Sequence, residues 1–304
     1  MKVFYSDTFE LPLPENHRFP MSKYRLLRER IAASDEFKQA ELLIPPAATD
    51  EQILLVHDRL WLDKVVSGQL TDLEERRIGF PWSPKMVERS RRSVGASIAA
   101  GRAALDQGTG VNLAGGTHHA FPDAGQGYCV FNDTLVAARV LQQEQLIQQV
   151  LFIDLDVHQG NGTAAVARQD PGLFSFSMHC EKNFPFRKSI SDLDISLPPG
   201  TGDEEFLSRL DQALMEIAIR VEADFVFYLA GADPYEGDRL GQLGLTKQGL
   251  EARDRMVFEF CQTRGLPVAV AMAGGYAPEI SDIVDIHFST VRTALDFHAL
   301  KSAL

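Results

Sequence analysis

The chain reads as an α/β fold built on a mainly parallel sheet with helices on both faces, and three observations predict it. Apolar runs of strand length recur at 111–114, 150–153, 173–178, 225–230 and 267–273. Long stretches of 3.6-residue periodicity separate all of them except the second and third. Parallel neighbours need such crossovers, so the alternation sets the direction of the sheet. Polar residues also gather just after each run, where an open parallel sheet keeps its ligand crevice.

In chain order, 2–5 reads as a short strand, followed by a loop in which Pro12, Pro14 and Pro20 interrupt regular structure. Residues 21–32 are helical in pattern. Thr49 is placed as an N-cap, with Gln52 three residues on and the apolar stripe Ile53, Leu54, Val56 and Leu60 behind it. Ser83-Pro84 repeats the start signal with proline at the first helical position, and that helix is expected to run to about Asp106, before Gly108. No Gly/Ser/Pro-rich linker, low-complexity tract or repeat divides the chain, so residues 1–304 are expected to form one catalytic domain.

At 304 residues and 45% hydrophobic content the chain can bury a large core. Its net charge of −12 argues against direct nucleic-acid binding, which needs clustered Lys and Arg, and would better suit cationic substrates. The opening Met1-Lys2-Val3-Phe4 lacks the apolar core of a signal peptide, and no segment has the unbroken apolar length of a membrane span. Cys129, Cys180 and Cys261 are odd in number and far apart, so a reducing, cytoplasmic setting is expected.

The chemistry sits after the strands. Gly115-Gly116-Thr117-His118-His119 follows the first apolar run, Asp154-Leu155-Asp156-Val157-His158 the second, His179 the third, Gly231-Ala232-Asp233 the fourth and Gly274-Gly275-Tyr276 the fifth. In extended chain Asp156 and His158 leave the same face and reach one cation. With Asp233 they make three ligands and leave a position open for water, the pattern of a catalytic site. One nitrogen and two carboxylates suit Zn²⁺ and leave Fe²⁺ or Mn²⁺ open. His118 and His119 suit acid/base work near neutral pH, and Tyr276 suits donation to a developing oxyanion. Asp-x-Asp alone would more often cap a helix, and Tyr276 alone would more often be a packed aromatic. Asp123 serves at most its own loop.

Together, Gly115–Ala120, Gly127-Tyr128-Cys129-Val130-Phe131-Asn132-Asp133, Ile153–Gly162, Gly231-Ala232-Asp233-Pro234 and Gly274-Gly275-Tyr276 resemble the successive motifs of the zinc-dependent histone deacetylase family. The Gln-Gly-Asn-Gly tail, Asp238-Arg239-Leu240-Gly241 and the compact length resemble its class IV-like and bacterial branch. The resemblance implies the arginase/deacetylase fold, with a central sheet of about eight strands.

It further implies Asp156, His158 and Asp233 as ligands of Zn²⁺ or Fe²⁺, His119 as the general base, His118 as electrostatic partner or acid, and Tyr276 as oxyanion donor. Asp154 and Asn161 join that catalytic set. Gly127 is implied to contact the acyl-lysine amide and Tyr128 to wall the substrate tunnel, with Phe184 or Phe186 opposite. A K⁺ or Na⁺ site is implied at Asp154, with the Ser177 hydroxyl and the carbonyls of Asp156, His158 and Met178. One position departs: where many members have Asp behind the second histidine, this chain has Asn161. The expected activity is hydrolysis of an acyl group, most simply acetyl, from lysine in a protein or peptide or from a small amine. A binuclear manganese ureohydrolase, a polyamine deacylase and a non-catalytic acyl-lysine binder are the alternatives.

Overall fold

The computed structural model describes residues 1–14 and 17–302. Its eight strands are β1 (Lys2–Phe4), β2 (Glu41–Leu43), β3 (Thr109–Asn112), β4 (Val150–Asp154), β5 (Leu173–Cys180), β6 (Leu193–Leu197), β7 (Phe225–Leu229) and β8 (Val268–Ala271). They form one sheet in the order β2-β1-β3-β8-β7-β4-β5-β6, and every neighbouring pair is parallel.

Both faces of the sheet are covered, which explains why the central strands read as continuous apolar runs. Along β4, Leu151 and Ile153 enter one core and Val150 and Phe152 the other; β7 splits likewise, with Val226 and Tyr228 against Phe225 and Phe227. The first core lies under the helices Ser22–Ala33, Asp203–Arg220, Lys247–Thr263 and Ile280–Ser302, the second under Pro84–Gln107 and Asp133–Gln143. No helix among the described residues is long and apolar enough to cross a membrane.

Strand register brings the functional segments to one edge. Asn112 pairs with Ala271, Ala271 with Leu229, Leu229 with Asp154 and Asp154 with Ser177. Four of these strands, β3, β8, β7 and β4, therefore end at one level, β5 runs on to Cys180, and the polar stretches after them converge.

The long helix begins and ends as its signals require. The Ser83 side chain accepts from the Met86 N–H at 3.1 Å, and Gly108 closes the helix at φ 84°. The stripe behind Thr49 behaves differently. Thr49 and Gln52 form the expected capping box, but that helix stops at Ile53, and a second one, Arg59–Ser67, starts after Asp58. Leu60 is 70% exposed while Trp61, Leu62 and Val65 are buried, so two short helices replace one continuous stripe. The gap between β4 and β5 also holds a short helix, Asn161–Ala167.

Candidate active site

The segment after β4 bends instead of staying extended, which corrects the basis on which Asp156 and His158 were paired. Asp154 Oδ1 accepts from the Asp156 N–H (3.2 Å), and Asp156 Oδ1 accepts from the His158 N–H (2.9 Å). These short-range turns bring His158 Nδ1 to 2.9 Å from Asp156 Oδ1 and 3.1 Å from Asp233 Oδ2. Asp233 arrives from the loop after β7, where its Oδ1 accepts from the Val157 N–H at 3.0 Å.

One ligand atom from each of Asp156, His158 and Asp233 lies within 4.8 Å of the others, and all three residues are buried. Donors around a tetrahedral ion with bonds near 2.0 Å stand about 3.3 Å apart, close to the spacing around His158. Asp233 Oδ2 is buried without a hydrogen-bond donor. Burial and the charge of Asp156 push the Asp233 carboxyl up to about 7. Burial opposes the charge on Asp156 as well, but His118 and His158 hold it ionised below the usual carboxylate range. Two buried carboxylates with an unsatisfied oxygen and one imidazole fit a divalent cation.

The loop after β3 supplies the histidines. His118 Nδ1 donates to Asp154 Oδ2 at 2.7 Å, and His119 Nδ1 donates to Asn161 Oδ1 at 2.8 Å. Their rings lie 4.1 Å apart, and both are buried. Burial works against charge on both. At His118 the carboxylates of Asp154 and Asp156 overcome it and raise the group to about 9. At His119 burial and the positive charges of His118 and His158 hold it well below the ordinary value, which the bond to Asn161 offsets only in part. The pair is split into a cation and a neutral imidazole.

A cavity of about 430 Å³ opens onto His119, His158 and Tyr276. Tyr128 walls one side at φ 66°, a left-handed conformation that its N–H secures by donating to Ile78 O at 2.7 Å. Gly127 comes so close to His119 that a Cβ there would lie 2.7 Å from His119 Cδ2. Phe184 stands edge-on to His119 with ring centres 4.9 Å apart. Phe186 is 90% exposed at the mouth, so Phe184 faces the histidines and Phe186 does not.

Tyr276 is nearly buried, its ring centre 6.2 Å from that of His158 and 5.8 Å from that of Tyr128. Burial and the nearby Asp233 and Asp156 raise its phenol well above the ordinary value, so it remains a proton donor. Ser177 and Met178 lie buried on β5, with Ser177 beside Asp154 across the ladder, and the Ser177 hydroxyl lies 3.0 Å from His179 Nδ1. Asp123 is exposed and takes no part in the cluster.

Several supporting residues carried no role in the sequence reading. Asp133 accepts from the N–H groups of Gly116 and Thr117 and from the hydroxyls of Thr117 and Ser97, fixing the histidine loop. Asp238 accepts from the N–H groups of Leu240, Gly241 and Tyr276, tying two strand-end loops together. Buried Arg253 donates to the carbonyls of Leu155 and Gly231, one residue before Asp156 and two before Asp233, and pairs with Asp254. Buried Lys23 donates to Ala273 O and Gly275 O under Tyr276. Asp133 and Asp238 stood inside motifs that the sequence shows, though without a role; Arg253 and Lys23 had no such signal.

Residues 17–291 match the model of the histone deacetylase domain. An uncharacterised protein of Picosynechococcus sp. is 45% identical over 297 residues, 97% of this chain and 99% of that protein. Histone deacetylase 2 of Arabidopsis thaliana is 26% identical over 296 residues, 93% of this chain and 76% of that protein. The crystal structure of the HDA15 HD domain shares the fold, with a TM-score of 0.82 at 21% identity over 97% of this chain and 91% of that one. With a domain match over most of its length and the strand-end motifs on one parallel sheet, this chain belongs to the histone deacetylase family.

Proposed function

We propose that the protein is a divalent-metal amide hydrolase that removes an acyl group, acetyl in the simplest case, from a lysine-like amine. Family membership supports the deacetylase class of reaction. The observation that carries the finer reading is the buried Asp156, His158, Asp233 cluster at the end of a narrow cavity, with a split histidine pair and a protonated tyrosine beside it.

Asp156, His158 and Asp233 would hold Zn²⁺ or Fe²⁺; when bound, such an ion supplies Lewis acidity toward an amide carbonyl and water. Asn161 Oδ1 accepts the hydrogen bond from His119 Nδ1–H, which keeps that proton on Nδ1 and leaves Nε2 free to accept a proton from attacking water. Tyr276 donates to the oxyanion that develops on the amide carbonyl. His118, held cationic by Asp154, stabilises negative charge and serves as a proton source for the leaving amine. Tyr128 and Phe184 strip water from an extended aliphatic chain, and Gly127 lets the amide approach the base. Asp154, Ser177 and the carbonyls of Asp156, His158 and Met178 would hold K⁺ or Na⁺ and fix the loop after β4.

The test is acetate release from an acetyl-lysine peptide by protein loaded with Zn²⁺ or Fe²⁺. Excess chelator should abolish it and metal should restore it. Full activity in chelator, or inertness toward every acylated lysine and amine, refutes the reading.

A further inference from the structure

The mouth of the cavity has the opposite charge to the molecule. The chain carries 42 acidic against 30 basic residues, a balance that points to cationic substrates. Yet among the described residues the cavity lining includes Arg18, Arg76, Arg77 and Lys182 and not one carboxylate. That reverses the expectation drawn from net charge alone. All four cations are exposed.

Elsewhere many arginines are neutralised, as in Arg28 with Asp7, Arg92 with Glu88 and Arg139 with Asp170. Among the described residues, Arg18, Arg76 and Arg77 form no ion pair, and Lys182 has only the exposed Glu181 at 3.7 Å. In a chain with surplus acid, four cations gathered at one opening, three of them without an ion pair among the described residues, are a local departure that the overall composition does not account for.

These cations are also held in place. Arg76 and Arg77 occupy the last turn of the helix Asp72–Ile78, where the helix dipole favours positive charge. The carbonyls of Arg77 and Ile78 accept from the N–H groups of Gly127 (2.9 Å) and Tyr128 (2.7 Å). The bonds that fix the tunnel wall therefore fix the basic rim. Arg18 lies between His17, whose Nε2 is 2.9 Å from Gly79 O, and Phe19, packed on Tyr128 with ring centres 5.0 Å apart. Lys182 belongs to the loop that carries Phe184.

We propose that this rim selects acylated amines whose far end carries negative charge, as carboxylate or phosphate groups flanking the acyl-lysine. The inference rests on the proposed deacylase reading of the cavity. Screening at physiological salt confines charge effects to about 8 Å, so the rim and not the distant acidic surface meets the substrate. A substrate with lysines or amines around the acylated position would set them against four cations that lack carboxylate partners in the lining. Two sources present the favoured chemistry: an acidic peptide segment, or a small acylated anion.

Zinc-loaded protein is given three peptides with one acetyl-lysine each: neutral flanks, glutamate flanks and lysine flanks. Exposed pairs are individually weak, so several acting together should favour the glutamate peptide over the lysine peptide by about tenfold in kcat/KM. The preference should narrow at high salt. It should shrink or invert in R76E/R77E, and in the single variants Arg18→Glu and Lys182→Glu should the double variant fail to fold. Free Nε-acetyl-lysine compared with its α-amide separates the sources. A carboxylate preference there as large as in the peptides assigns the rim to a small anion, and a preference confined to peptides assigns it to an acidic segment. Equal turnover of the three peptides, or preference for lysine flanks, overturns the inference and leaves the deacylase reading standing. Turnover of none of them, the neutral peptide included, overturns both.

Discussion

His119 Nδ1–H donates a hydrogen bond to Asn161 Oδ1 at 2.8 Å, so the proposed general base rests on a neutral amide. A carboxylate at that position would favour the imidazolium and raise the histidine pKa. The base works only when deprotonated. Asn161→Asp should therefore move the acidic limb of the kcat/KM profile to higher pH. Matched pH profiles check this, and an unmoved limb, or one displaced to lower pH, refutes it.

Tyr276→Phe removes the proposed oxyanion donor, a contact that would be made chiefly in the transition state. Catalysis should fall by roughly 10²–10³ in kcat with KM little changed. Near wild-type kcat in the variant would reduce Tyr276 to a packing residue.

Gly274 lies against both ligand carboxylates: a Cβ there would be 1.9 Å from Asp233 Oδ2 and 2.6 Å from Asp156 Oδ2. Gly274→Ala should weaken metal binding by at least roughly tenfold without altering a ligand, as displaced supporting groups do. Gly202→Ala, where the nearest neighbour is Gly244 O at 3.7 Å, is the control. Equal metal affinity in both variants would contradict the packing described.

Metal should also stabilise the fold. A buried carboxylate pair left without its cation is costly, and a ligand at 100 times its Kd adds about 2.7 kcal/mol. Chelation should lower Tm, one equivalent of Zn²⁺ should restore it, and metal analysis should return one divalent ion per chain. Two tightly bound ions, or a Tm indifferent to chelator, would count against the site.

His57 gives a pH dependence away from the metal cluster. It is buried, and its Nε2 accepts from the Asn132 N–H at 2.9 Å. Burial, partly offset by the carbonyls of Pro122 and Phe121, lowers its pKa from 6.5 to about 4. Between those values the unfolded chain takes up a proton that the folded chain refuses, so stability falls as pH drops from 6.5 toward 4. At 1.36 kcal/mol per unit the full loss is about 3 kcal/mol. Denaturant unfolding at a series of pH values should show the slope, and His57→Gln should flatten it.

The sheet was legible where strands are buried on both faces, because β4 and β7 leave unbroken apolar runs and β5 one broken only by Ser175 and Ser177 before His179. At the edges the pattern was weaker. β2 is three residues long and partly exposed, and β6 alternates through Leu193, Ile195 and Leu197 inside a polar stretch, so neither stood out as a run. The strand-end clusters were legible as a shared crevice because polar residues followed strand after strand. Arg253 and Lys23 act through distant backbone groups, as Asp238 does toward Tyr276, and such a partner leaves no residue type to recognise. Phe184 and Phe186 are alike in sequence and differ only in how the loop turns them.

The Gly274 N–H donates to Asp156 Oδ2 at 2.8 Å across 118 positions of chain, and Ala271 on β8 lies in register between Asn112 and Leu229. Loop closure of that span must precede any reward from the contact, which makes such pairings slow to form. The pocket around Asp156 and Asp233 should therefore close only once β8 is in place between β3 and β7, after the more local helices. Metal uptake in a refolding chain should trail the recovery of helical signal, and an ion bound in native geometry marks a chain whose sheet is complete.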